Sequence, residues 1–113
     1  MKIKSTTNDF LTHRKASAAK FLKMTSIEEL KKICTQVRRD ILRMTHAVQS
    51  GHPGGSLGCT EFFTAMYFEI MEHKPEKFSM DGMGEDLFFL SNGHVSPVWY
   101  SVLTRSGYFD IKE

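Results

Sequence analysis

Cysteine is scarce in this chain: Cys34 and Cys59 stand alone among 113 residues, with no Cys-x-x-Cys pair. That excludes a disulfide-stapled scaffold, a zinc framework and a dithiol redox motif, and it predicts a reduced, cytosolic setting. Long apolar runs are missing as well. None approaches the roughly 20 residues that cross a bilayer, so no membrane partner is expected. Nor is charge of one sign in large excess overall, because the formal net charge is only +2. It is unevenly spread: residues 1–23 hold six basic side chains against Asp9 alone, a net of +5, which leaves the rest of the chain at −3. A mildly acidic body argues against a nucleic-acid partner.

What is present is an ordinary globular composition, 41% apolar and 25% charged, at a length that allows one domain. The basic, Ser/Thr/Ala-rich residues 1–23 read as an extension in one of three forms: an overlong start or tag-like segment, a disordered arm able to touch nucleic acid or membrane, or an organellar transit peptide. Met24, followed by Thr25-Ser26-Ile27-Glu28-Glu29, is a natural alternative start. Residues 24–113 form the body. Ser26 with Glu29 three positions later is a capping box. From there Ile27, Leu30, Cys34, Val37, Ile41, Met44 and Val48 recur at spacings of three and four, which predicts an amphipathic helix over about 26–49 that ends at Gly51. Lys31, Lys32, Arg38, Arg39 and Asp40 fall off its apolar face. Phe62, Phe63, Met66, Tyr67, Ile70 and Met71 form a second stripe, predicting a largely buried helix over about 58–72. Leu87-Phe88-Phe89-Leu90 is a short continuous apolar run, as in a strand buried on both faces of a parallel sheet. A third helix is expected over about 95–106, ended by Gly107. Helix, helix, strand, helix predicts an α/β layer fold of which only the first strand is in hand.

Two turns carry the candidate chemistry. The first is Ser50-Gly51-His52-Pro53-Gly54-Gly55-Ser56-Leu57-Gly58; the second is Ser91-Asn92-Gly93-His94-Val95-Ser96-Pro97. Glycines at a helix start let backbone N–H groups approach a ligand closely, the helix N-terminus favours an anion such as phosphate, and a histidine there can donate to phosphate or move a proton near neutrality. The second turn follows the expected strand, where ligands of open α/β sheets sit. The first lacks the Lys-Ser/Thr ending of a Walker A loop and the glycine spacing and preceding strand of a dinucleotide fingerprint. His46, His52 and His73 have no partner at metal-ligand spacing, so no metal site is expected from them. Trp99 and the Phe62/Phe63 pair read as core, and Asp81, Glu85 and Asp86 as a solvated acidic loop.

Arg38-Arg39-Asp40-Ile41 leading into the first turn, and Leu90-Ser91-Asn92-Gly93-His94 with Ser96-Pro97 and Tyr100 at the second, resemble the two N-terminal signatures of transketolases, in order and at the right distance. With Glu85-Asp86-Leu87-Phe88-Phe89 before the second motif, the likeness is to the N-terminal subunit of bacterial transketolases split in two. The related deoxyxylulose-phosphate synthases are the nearest rival; Pro53, Gly54 and Val95 side with transketolase. The resemblance covers about residues 26–110. It implies the opening of a three-layer α/β/α domain that binds thiamine diphosphate with Mg²⁺ or Ca²⁺ and transfers a two-carbon ketol unit from a ketose phosphate to an aldose phosphate, in the pentose phosphate pathway. It also implies that His52 is catalytic, beside the thiazolium and the donor sugar, and that His94 with Gly93 contacts the cofactor diphosphate. No metal ligand is assigned in this chain: the resemblance puts the Gly-Asp-Gly…Asn metal motif and a third active-site histidine beyond Glu113. The glutamate that activates the cofactor is placed in a C-terminal subunit or domain, across a homo- or hetero-oligomeric interface. The expectation is an incomplete N-terminal part, inactive alone, with a non-catalytic fragment that only associates with a partner as the competing reading.

Overall fold

The computed structural model describes residues 25–112. The segment 1–23 and Met24, with the readings attached to them, lie outside the described residues.

Helix α1, Ile27–Val48, begins where the capping box requires. The Ser26 side chain accepts from the Glu29 N–H at 3.2 Å, and the Glu29 carboxylate accepts from the Ser26 N–H at 3.0 Å. These bonds satisfy backbone donors that have no partner inside the helix. Of the predicted stripe, Cys34, Val37 and Ile41 are buried, while the end positions Ile27 and Val48 are exposed. The packed part of the helix is therefore its middle.

The second helical segment differs from expectation. It begins at Pro53, not at about 58, and it is built in three pieces: α2 (Pro53–Gly58), α3 (Thr60–Ala65) and a π-helical turn, Met66–Ile70. Proline at the first helical position forfeits no hydrogen bond and arrives with a helical φ. The weak helix formers Gly54, Gly55 and Ser56 are held by tertiary packing: Ser56 and Thr60 are fully buried. The wide π turn keeps residues four apart on one face, so Phe63, Tyr67 and Met71 all enter the core. Phe62 and Ile70, expected inside, are 56% and 63% exposed because they fall on the opposite side.

Helix α4, Ser96–Arg105, follows a 3-10 turn over Gly93–Val95. Its Val98 and Val102, with Val95, join Val37, Ile41, Phe63, Tyr67 and Met71 in one buried cluster. Trp99 packs at the edge of that cluster and donates from its indole N–H to the Tyr67 hydroxyl at 2.6 Å. Each fully buried side chain of this size contributes about 1.5–3 kcal/mol, which makes this small cluster the main source of stability.

The expected strand does not form: among the described residues there is no β-strand. Leu87 and Phe89 are exposed while Phe88 and Leu90 pack against the core. The run thus alternates with a period of two and is covered on one face, not both. No second extended segment among the described residues exchanges hydrogen bonds with it, and a strand is defined by that exchange. The helices occur in the predicted order; the sheet layer of an α/β fold is not seen in these residues.

Asp40, read as one of the residues off the apolar face, ties α1 to α4. Arg105 donates to both of its carboxylate oxygens, each at 2.9 Å, Ser101 donates at 2.9 Å, and Gln36 donates at 3.0 Å. Burial pushes the Asp40 carboxyl up, but the bonds from Arg105, Gln36 and Ser101 outweigh it and hold the group below its ordinary value.

Candidate functional site

The two Gly-His turns meet in space. Helix α1 ends with Gln49 in the left-handed conformation, and Gly51 follows with φ +101°. A side chain is strained at that φ. Gly51→Ala is therefore expected to destabilise the chain by about 1–3 kcal/mol and to misdirect His52, read as a lowered urea midpoint. His52 itself is extended and occupies the N-cap of α2, yet its side chain makes no capping bond. The ring is left exposed and uncommitted.

At the second turn the N-cap is Asn92, whose side-chain oxygen accepts from the His94 N–H at 3.1 Å. The Val95 N–H donates to the Asn92 carbonyl at 3.2 Å, and the Ser96 hydroxyl donates to the Gly93 carbonyl at 2.6 Å. Two backbone donors that the sequence suggests for an anion are thus already engaged. The exposed His94 imidazole becomes the main polar group this turn offers. Asn92 belongs to the motif but carries no role of its own in the sequence reading; an Asn placed just before a helix start is the signal that it caps.

The turns are locked against each other by Gly55 and Val95. A Cβ at Gly55 would lie 3.3 Å from Val95 Cγ1, and Val95 is buried. Over Gly54, Gly58 and Gly93 the opposite holds, since a Cβ there would meet nothing within 4 Å. The His52 and His94 rings stand with centroids 6.2 Å apart and planes tilted by 53°. Neither ring hydrogen-bonds to another described residue. The structure therefore brings together the three residues singled out from sequence, His52, Gly93 and His94.

The remaining sequence readings fare differently. His73, read from the sequence only as lacking a metal-ligand partner, is half-buried. It is stacked on Tyr108 with centroids 5.6 Å apart, and its Nε2 meets the Tyr67 carbonyl. Burial, with Glu85 and Tyr67 nearby, pushes the Tyr108 hydroxyl up to about 12. The acidic loop is not simply solvated: the Asp86 carboxylate accepts from the Glu72 N–H at 2.7 Å, Glu85 accepts from the Lys74 N–H, and Asp81 caps its own turn. These residues close the loop onto the end of the π turn, because a short polar chain must satisfy its backbone donors locally. A cavity of about 710 Å³ opens between α1 and α4, with Arg43, Tyr100 and Phe109 in its walls, but no residue of either Gly-His turn lines it. Among the described residues, no three or more His, Cys, Asp or Glu side chains are grouped so as to hold a metal. No described helix is long and apolar enough to cross a membrane.

Residues 30–113 match the family model "Transketolase, thiamine diphosphate binding domain". The chain belongs to the transketolase family. The match takes in both Gly-His turns and nearly all of the described structure. Among similar proteins, a transketolase of Buchnera aphidicola is 32% identical over 78 residues, 69% of this chain and 11% of that protein. One of the subunits of an apulose-4-phosphate transketolase from Phocaeicola vulgatus is 30% identical over 82 residues, 73% of this chain and 28% of its own length. The 6-deoxy-6-sulfo-D-fructose transketolase subunit SqwG of a Clostridium species is 41% identical over 63 residues, 55% of this chain and 22% of that protein. The chain thus spans between 11% and 28% of these three transketolases.

Proposed function

We propose that this chain supplies two of the contacts of a transketolase active site, His52 to the reacting centre and His94 with Gly93 to the diphosphate of thiamine diphosphate. The meeting of the two turns supports the reading: two exposed imidazoles stand 6.2 Å apart between centroids, and a side chain at Gly93 would meet nothing within 4 Å. The donor set suits the cofactor. An imidazole can donate to a phosphate oxygen, and such charge-assisted bonds are about twice as strong as neutral ones. Glycine at position 93 leaves room for a bulky diphosphate beside the ring of His94. When bound, thiamine diphosphate supplies an electron sink for cleavage of a carbon–carbon bond beside a carbonyl. His52 then takes and returns protons on the sugar hydroxyl and carbonyl oxygens, at the position its uncapped place on α2 leaves exposed.

The substrates are a ketose phosphate donor and an aldose phosphate acceptor, in the pentose phosphate pathway and in a cytoplasmic setting, the last supported by the unpaired Cys34 and Cys59. Mg²⁺ or Ca²⁺ is held by residues other than those described. A C-terminal transketolase subunit or domain completes the site. Naming of relatives as subunits supports such a division. The chain by itself is expected to bind thiamine diphosphate negligibly, since two imidazoles without a divalent ion leave most of the diphosphate charge uncompensated. Calorimetric titration of the chain with thiamine diphosphate and Mg²⁺ checks this; saturable micromolar binding would overturn it.

A further inference from the structure

We propose that the segment Lys20-Phe21-Leu22-Lys23, which lies outside the described residues, docks on the apolar face that α3, the π turn and the start of α1 leave uncovered in the same chain. Phe62 and Ile70 are exposed on the side of α3 and the π turn turned away from the core, and Ile27 is exposed at the start of α1. The Thr25 N–H donates to the Glu69 carboxylate at 2.9 Å, so Ile27 and Ile70 each lie within two residues of a single contact. Apolar side chains gathered outside the core mark a surface that a partner covers.

Charge and covalent geometry identify the occupant. Ile70 is bracketed by acids in Glu69-Ile70-Met71-Glu72, and Lys20-Phe21-Leu22-Lys23 has the matching pattern, two apolar residues between two lysines. A segment that joins apolar side chains to cations suits a face that joins apolar side chains to carboxylates. The reach is set by the chain. An extended residue advances at most about 3.3–3.6 Å, which keeps Lys23 within about 7 Å of Thr25 and Lys20 within about 18 Å. The bond from Thr25 to Glu69 fixes where that tether starts. A short tether holds its end at an effective concentration on the order of millimolar, so contacts too weak for a separate molecule suffice. The basic residues 1–23 and the acidic body are then two halves of one intramolecular contact, and neither Phe21 nor Leu22 is left to a nucleic acid or a membrane. This inference needs no cofactor and stands apart from the roles of His52 and His94.

Nuclear Overhauser spectroscopy on the full chain tests it. Expected are cross-peaks from the Phe21 ring or the Leu22 methyls to the Ile70 methyls, fading as salt rises from about 0.05 to 0.5 M because exposed charge pairs are screened. Removal of residues 1–23 should shift the Ile70 methyl resonances. Lys20→Glu/Lys23→Glu should shift them in the same direction, with partial return when Glu72→Lys is added. Absence of any cross-peak to Ile70 at low salt would overturn the proposal, as would an Ile70 shift unchanged by the removal. So would a duplex oligonucleotide or a phosphatidylserine-containing vesicle that shifts Phe21 and Leu22 while neither touches Ile70, an outcome that assigns the segment to an outside partner. The cross-peak measurement is made on the unaltered chain, so a variant that fails to fold does not decide the outcome.

Discussion

His52→Ala, placed in a transketolase assembled from this segment, the remainder of the cofactor domain and a C-terminal partner, is expected to lower kcat by about 10²–10⁴-fold, the usual contribution of a positioned acid–base group. Affinity for thiamine diphosphate should fall much less. His94→Ala should show the converse. Loss of a charge-assisted bond to the diphosphate, about 1.5–3 kcal/mol, raises the cofactor dissociation constant by about 10–150-fold, with kcat restored at saturating cofactor. Steady-state kinetics over a range of cofactor concentrations separates the two. If the His52 variant lost affinity and the His94 variant lost turnover, the proposed roles would be reversed and the assignment wrong. The asymmetry has a structural basis. The ring of His52 projects from an N-cap that it does not cap, whereas the backbone of His94 is pinned by Asn92, leaving its side chain to hold a fixed ligand group.

Asp40→Ala is expected to destabilise the fold by about 2–3 kcal/mol, somewhat below the 3–5 kcal/mol of a fully buried pair, because Arg105 keeps 29% of its side chain exposed. The loss strands the Arg105 cation and removes the shared acceptor of Ser101 and Gln36. Urea denaturation near neutral pH measures it. The double variant Asp40→Ala/Arg105→Met should recover part of the loss, since no charge is then stranded; strict additivity in this cycle would count against the ion pair as the cause. The pH dependence has a defined sign. The carboxyl of Asp40 titrates lower when folded than when unfolded, so its stabilisation is complete above the unfolded value of about 3.9 and is lost as pH falls through the folded value. Asp40→Asn should flatten that part of the acid limb.

Much of the helical organisation is legible in the residues themselves. The capping box, the stripe along α1, and the glycines at 51 and 107 are local devices, each acting within a turn or two of chain, and each lies where the pattern puts it. Helix α2 starts earlier than its pattern predicts because glycine and serine have poor helix propensity, and here propensity loses to proline at the first position and to the burial of Ser56. The run Leu87–Leu90 departs from its pattern for a related reason: a continuous apolar run specifies an extended segment but says nothing about what will cover its second face. The polar character of Asp40 is visible in the sequence, while its role is not, because its partner Arg105 lies 65 residues away.

By itself the sequence determined the helices, the two Gly-His turns and the family that their order and spacing imply, because those features are carried by neighbouring residues. Only the tertiary structure decided that the two turns lie side by side. It did so through the closeness that glycine at position 55 permits against Val95 and the grip of Asp40 on α4. No local pattern encodes contacts between distant segments, which depend on how the helices pack.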